Sequence, residues 1–320
     1  MNITRVFAPI SSRLKRFETE LKRVLESDSV IIRQITEHMN GASGKRLRPA
    51  LLFLTAGNKS QRALYPALAI ELIHAATLLH DDVIDEASTR RGLVTVNHKW
   101  NNLISVLMGD YLFAKAFGLL VKAEMPSLME TFSEATERVS VGELNQAFYT
   151  GNFDIDEDTY IKVIADKTAS LFACSAEAGA QCSGQDNRTC QMLKEYGENL
   201  GLAFQIADDL LDLVGESKKT GKGLGSDIRE GWVTLPLIFA LKNEDGKSKQ
   251  RFKDILGGDV APSDIENVVN FVKNYGGIEY AEQKAKKYVQ KSIAILRGLD
   301  GLPMKPALEE LANLAAARDK

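Results

Sequence analysis

The chain has 320 residues, of which 44% are hydrophobic and 26% charged; 40 basic against 43 acidic side chains leave a net charge of −3. Those proportions exclude disorder and fibres, and the balanced charge argues against a nucleic-acid partner. No linker or internal repeat divides the chain, so residues 1–320 read as a single domain. The first thirty residues alternate charged and apolar side chains, unlike a signal peptide. Ile10, Leu14, Phe17, Leu21 and Val24 then form one helical stripe. Similar stripes recur over 63–86, 100–123, 127–150, 158–183 and 189–214. No proline lies between Pro66 and Pro126 or between Pro126 and Pro236, as long helices require. No run reaches the roughly eighteen apolar residues of a membrane span, so no transmembrane segment is expected. Cys174, Cys182 and Cys190 are an odd set at even spacing, which suits packed thiols in a reducing cytoplasm. No alternating strand pair with a hairpin turn is evident. The fold class is all-α.

Two stretches break the helical pattern, 86–97 and the glycine-rich 215–231. Each follows an acidic cluster. Asp81, Asp82 and Asp85 precede the first, with Arg90 and Arg91 after them; Asp208, Asp209 and Asp212 precede the second, followed by Lys222. Asp81 and Asp85 share one helix face, as do Asp208 and Asp212. One such cluster alone is most often a solvated face. Here both lie in apolar surroundings, IELIHAATLLHDD and LAFQIADDLLDLV, where a solvated face is out of place. Two carboxylate pairs followed by basic residues suit Mg²⁺ shared with substrate phosphate oxygens. No calcium-loop spacing accompanies either pair.

With these clusters in hand, the chain resembles the trans-polyprenyl diphosphate synthases, in particular the bacterial long-chain type. The markers run in order: GKRLRP at 44–49, DDVID at 81–85, Gly142-Glu143, Lys167-Thr168, FQIADDLLD at 204–212, Gly221-Lys222, Asp227 and TLP at 234–236. The resemblance implies antiparallel helices around a deep central cavity, a homodimer, and three Mg²⁺ binding with an allylic diphosphate. It also implies successive condensation with isopentenyl diphosphate onto a primer, farnesyl or geranylgeranyl diphosphate. Asp81, Asp85, Asp208 and Asp212 would be the metal ligands, with Asp82 and Asp227 weaker candidates, and Asp81, Asp85, Lys167 and Asp208 the catalytic set. Arg90, Lys167, Thr168, Gln205 and Lys222 would hold the allylic diphosphate. Lys45, Arg48, His74 and Arg91 would hold isopentenyl diphosphate.

One position departs from the family pattern: Trp232 stands where relatives carry a lysine beside the diphosphates. We expect the indole to lie over the entrance as a lid. Product length in this family depends on what blocks the cavity below the first cluster. Ala76 and Thr77 are small there, and Phe113, Phe117 and Phe148 are candidates for the floor, each equally readable as an ordinary core ring. The expected product is C30–C50, with C40 foremost, for a quinone side chain; release of so apolar a tail implies transient contact with a membrane surface. Alternatives are a geranylgeranyl-type shorter-chain synthase or a partner subunit tuning another synthase. A terpene cyclase is disfavoured by DDLLD at the second cluster and by GKRLRP.

Overall fold

The structure is a computed structural model that describes residues 3–41, 44–57, 62–90, 92–214, 225–244, 250, 252 and 260–316. Helices dominate it. The N-terminal part runs through α1 (Ile3–Phe7), α2 (Ser11–Leu25), α3 (Val30–Asn40) and α4 (Leu47–Ala56) to α5 (Leu64–Ile84). After the short α6 (Val96–Lys99) come α7 (Asn102–Lys122), α8 (Pro126–Tyr149), α9 (Glu157–Ile164), α10 (Ser170–Ser183) and α11 (Asn187–Val214). The chain closes with α12 (Ser226–Arg229), α13 (Leu235–Lys242), α14 (Pro262–Asn274), α15 (Gly277–Arg297) and α16 (Lys305–Ala316). The stripe expected over 10–24 is the buried face: Ile10, just before α2, and Phe17 and Leu21 on it lie in the core.

Packing places the two acidic helices. α5 lies along α7 and against α4; α4 lies along α10, α10 along α11, and α11 along α15. The α4–α10 contact is close because α10 is built of small residues. A Cβ on Gly179 would come within 2.3 Å of the Leu52 carbonyl oxygen, so only glycine permits this approach. α7 is long and apolar enough, by length and composition, to cross a membrane, which the absence of an unbroken apolar run had argued against. It packs along α5 and leaves Leu103, Leu107 and Val121 exposed.

Two local features differ from the helical reading. Thr89–Arg90 and Leu93–Val94 pair antiparallel, Thr89 opposite Val94 and Arg90 opposite Leu93. Two-residue strands are too short to show alternation in sequence. The second difference is a π-helical turn, Ala165–Ala169, inside the stripe read as one helix over 158–183. One inserted residue barely disturbs an apolar period, but it changes where the side chains point. Such turns favour functional positions.

Candidate active site

The first acidic cluster sits at the C-terminal end of α5. Asp81 is half-buried as a residue, but its Oδ1 is buried and has no hydrogen-bond partner. Burial raises its pKa to about 7; Lys167 and Arg90 pull it down, while Glu143 and Asp85 push it up. Asp82 does different work. Its carboxylate accepts from Arg90 Nε, and its backbone carbonyl accepts from Asn97 Nδ2 at 2.9 Å. Burial opposes the Arg90 charge, but Asp82 foremost, then Asp81 and Asp85, hold the guanidinium protonated. Asp82 thereby anchors a cation beside Asp81.

The π turn carries the next two residues. Lys167 Nζ donates to Glu143 Oε2 at 2.8 Å. Burial disfavours the ammonium, yet Asp81 and Glu143 raise its pKa above the usual lysine range. A Cβ on Gly142 would lie 2.3 Å from the Lys167 backbone nitrogen, so α8 can press on the turn only with glycine there. Thr168 Oγ1 donates in the other direction, to Gln205 Oε1 at 2.9 Å. One turn of chain thus faces the first cluster through Lys167 and the second through Thr168.

On α11, Asp208 is exposed, while Asp209 is buried. Asp209 accepts from the Tyr160 hydroxyl and from Gln205 Nε2 at 2.7 Å. Burial raises its pKa; those two donors oppose the rise. Asp212 departs from its expected place as a metal ligand. Its Oδ1 accepts from Ser226 N at 3.1 Å and Ser226 Oγ at 2.7 Å, and its Oδ2 from Asp227 N at 3.0 Å. Three bonds commit this carboxylate to capping α12. Asp227 is half-buried, and its pKa is pushed well above the usual carboxylate range, by desolvation first and by Asp209 and Asp212 next. Trp232 is not a lid. Only 6% exposed, its indole packs in the core, its ring nearly parallel to that of Tyr160 at 6.3 Å.

The expected isopentenyl-diphosphate side is less uniform. Lys45 is exposed, and His74 is half-buried on α5. The Arg48 guanidinium lies 4.8 Å over the Phe172 ring, which is 5.2 Å from Phe204. Between Lys45 and Arg48, Arg46 adopts a left-handed φ of 51° and is held by Glu18 at 2.8 Å and by buried Glu71. The sequence signal for this pairing is Glu71, alone in the apolar run ALAIELIHAA. Tyr160 gave no signal at all. Arg91 and Lys222 lie outside the described residues.

The chain-length residues divide. Thr77 is half-buried, its hydroxyl donating to the His74 carbonyl at 2.9 Å. Ala76 has 0% exposure and so borders no open space. Five residues before Asp81, it is turned roughly 140° from that carboxylate's face, whereas Thr77, four before, shares it. Phe113 and Phe117 are half-buried against the core. Phe148 is 77% exposed, with its ring against Tyr149, and is therefore neither floor nor core. Cys174 is buried among helices, and burial pushes its thiol well above the usual range, as packing predicts.

The donor set fits a hard divalent cation. Among the described residues no three His, Cys, Asp or Glu side chains converge to hold an ion alone. Mg²⁺ needs only one or two carboxylates when phosphate and water complete its shell. The partnerless Asp81 Oδ1, buried where ionisation is penalised, is the atom such an ion would satisfy.

Comparison with known proteins identifies the family. A family model described as polyprenyl synthetase matches residues 29–272. Octaprenyl diphosphate synthase of Escherichia coli K12 is 33% identical over 323 positions, covering 100% of both chains. Geranylgeranyl diphosphate synthase of Saccharolobus solfataricus is 35% identical, covering 94% of each. A crystal structure of polyprenyl synthase from Caulobacter crescentus CB15, complexed with calcium and isoprenyl diphosphate, matches with a TM-score of 0.95 and 34% identity, over 100% of this chain and 98% of that one. The helices, the paired acidic clusters and these full-length likenesses make the chain a prenyltransferase of the polyprenyl synthetase family.

Proposed function

We propose that the chain is a long-chain trans-prenyl diphosphate synthase, which lengthens an allylic diphosphate with successive isopentenyl diphosphate units. One observation carries this reading: the π turn joins the two clusters, with Lys167 toward Asp81 and Asp85 and Thr168 toward Gln205. A substrate diphosphate between those groups would meet carboxylates on either side and a cation at its centre. Mg²⁺, held by Asp81, Asp85 and Asp208, would supply concentrated positive charge for the departing pyrophosphate. Arg90, fixed by Asp82, adds a second cation, and Lys167 exchanges its Glu143 partner for substrate oxygens. Gln205 and Thr168 orient the same diphosphate, with Lys222 joining on sequence grounds. The ionised allyl group then meets the isopentenyl double bond, and loss of a proton completes each addition. Lys45, Arg48 and His74 hold the second diphosphate, with Arg91 from sequence. Apolar residues around the site keep water from the cation.

For length, the near-equal identity to an octaprenyl and a geranylgeranyl relative decides nothing. Small Thr77 on the Asp81 face supports passage of a long tail. The reading is C30–C50, with C40 foremost. Two copies associate through an apolar face of α8, where Val141, Leu144 and Phe148 are 40%, 71% and 77% exposed along one side. Such a stripe is costly in water and suits a second copy. The test is incubation of the purified chain with labelled isopentenyl diphosphate, farnesyl diphosphate and Mg²⁺. Products longer than C20 that vanish with EDTA and return with Mg²⁺ support the reading; an inert chain defeats it.

A further inference from the structure

Tyr160 lies on α9, seven residues before Lys167, and has 0% exposure. Its hydroxyl donates to Asp209 Oδ2, while Gln205 Nε2 donates to Asp209 Oδ1 at 2.7 Å. With Asp209 accepting from both donors, the amino end of Gln205 is turned toward it and the amide carbonyl toward the Thr168 hydroxyl, 2.9 Å away. The second N–H of that amide is left for another acceptor. The Tyr160 ring, in turn, is backed by Trp232, nearly parallel at 6.3 Å. An unbroken chain of contacts therefore runs from Trp232 through Tyr160 and Asp209 to Gln205 and Thr168.

We propose that Tyr160 is a positioning residue for the allylic-diphosphate end of the site: it fixes Asp209, Asp209 orients the Gln205 amide, and Trp232 holds the phenol in place. This rests on the proposed function, which assigns Gln205 and Thr168 to that diphosphate. The tryptophan contributes by packing. Without the hydroxyl, Asp209 can swing, the amide can flip, and its free N–H is no longer aimed. The opposite diphosphate, gripped by Lys45 and Arg48, is untouched by this chain.

Tyr160→Phe keeps the ring and its stacking while removing the hydroxyl. The full chain should then show an allylic-substrate KM raised about tenfold, which is about 1.4 kcal/mol, with the isopentenyl diphosphate KM within about twofold. A purely structural defect would lower the active fraction, and so kcat, without separating the two KM values. In a Gln205→Ala background, Tyr160→Phe should add nothing further to the allylic KM. Trp232→Leu, measured alongside in case Tyr160→Phe folds poorly, should raise the allylic KM selectively as well. An unchanged allylic KM in folded Tyr160→Phe, or full additivity with Gln205→Ala, overturns the assignment. An inactive wild-type chain would instead refute the proposed function, so the two failures are distinguishable.

Discussion

Asp81 is held in a position that disfavours its own charge, and this makes its protonation readable. Folded, it keeps a proton up to about pH 7; unfolded, only to its ordinary 3.8. Between those values the folded chain binds the extra proton, so metal-free stability falls as pH rises through that window. Asp81→Asn should remove the effect: a higher Tm than wild type near about pH 8, a gap that narrows toward about pH 5, and no turnover. Thermal melts in EDTA at both pH values check it; a lower Tm for the variant at the higher pH would contradict a carboxylate whose buried Oδ1 lacks a partner. Ala76 and Thr77 separate by a similar logic. A ring at Thr77 should stop growth early, with thin-layer chromatography of dephosphorylated products showing C15 or C20. Ala76→Tyr should instead overpack the core at a cost of about 1–3 kcal/mol, seen in denaturant melts, with product length unchanged in whatever folds.

At the scale of the element, the π turn is the centre of the site. It needs the glycine of α8 beneath it. Gly142→Ala sets a Cβ against backbone, which cannot move aside as a side-chain tip can. The turn or α8 must shift, and kcat should fall at least about tenfold even in protein that retains its helical signal, because small misplacements at a reacting centre cost heavily. Near-wild-type kcat would mean that the close approach is not required. The long helices and both acidic clusters were legible in sequence, since proline-free apolar periods and carboxylates embedded in them are local patterns. The π turn was not, because a one-residue insertion hides within a 3.6-residue period. Asp212's capping of α12 and the burial of Trp232 depend on chain returning from distant positions. Periodicity is silent on both.

Over the whole molecule, the exposed stripe of α8 is a surface feature and not part of the core. Phe148 had been a candidate floor or an ordinary core ring, whose truncation costs about 3–5 kcal/mol; at 77% exposure it can be neither. Leu144→Asp with Phe148→Asp should leave Tm nearly unchanged in dilute protein while converting a dimer to a monomer by light scattering. A wild-type monomer, or a dimer indifferent to both charges, would remove α8 as the interface. The central claim is that two acidic clusters joined by Lys167 and Thr168 form one prenyl-transfer site. The most direct measurement is incorporation of labelled isopentenyl diphosphate by wild type, Asp81→Ala and Asp208→Ala, with each variant's fold checked by circular dichroism. Mg²⁺-dependent extension in wild type, falling to less than about a hundredth in either variant, is the predicted result, since each removes an interaction needed in the transition state. More than a tenth of wild-type activity in either folded variant would contradict it.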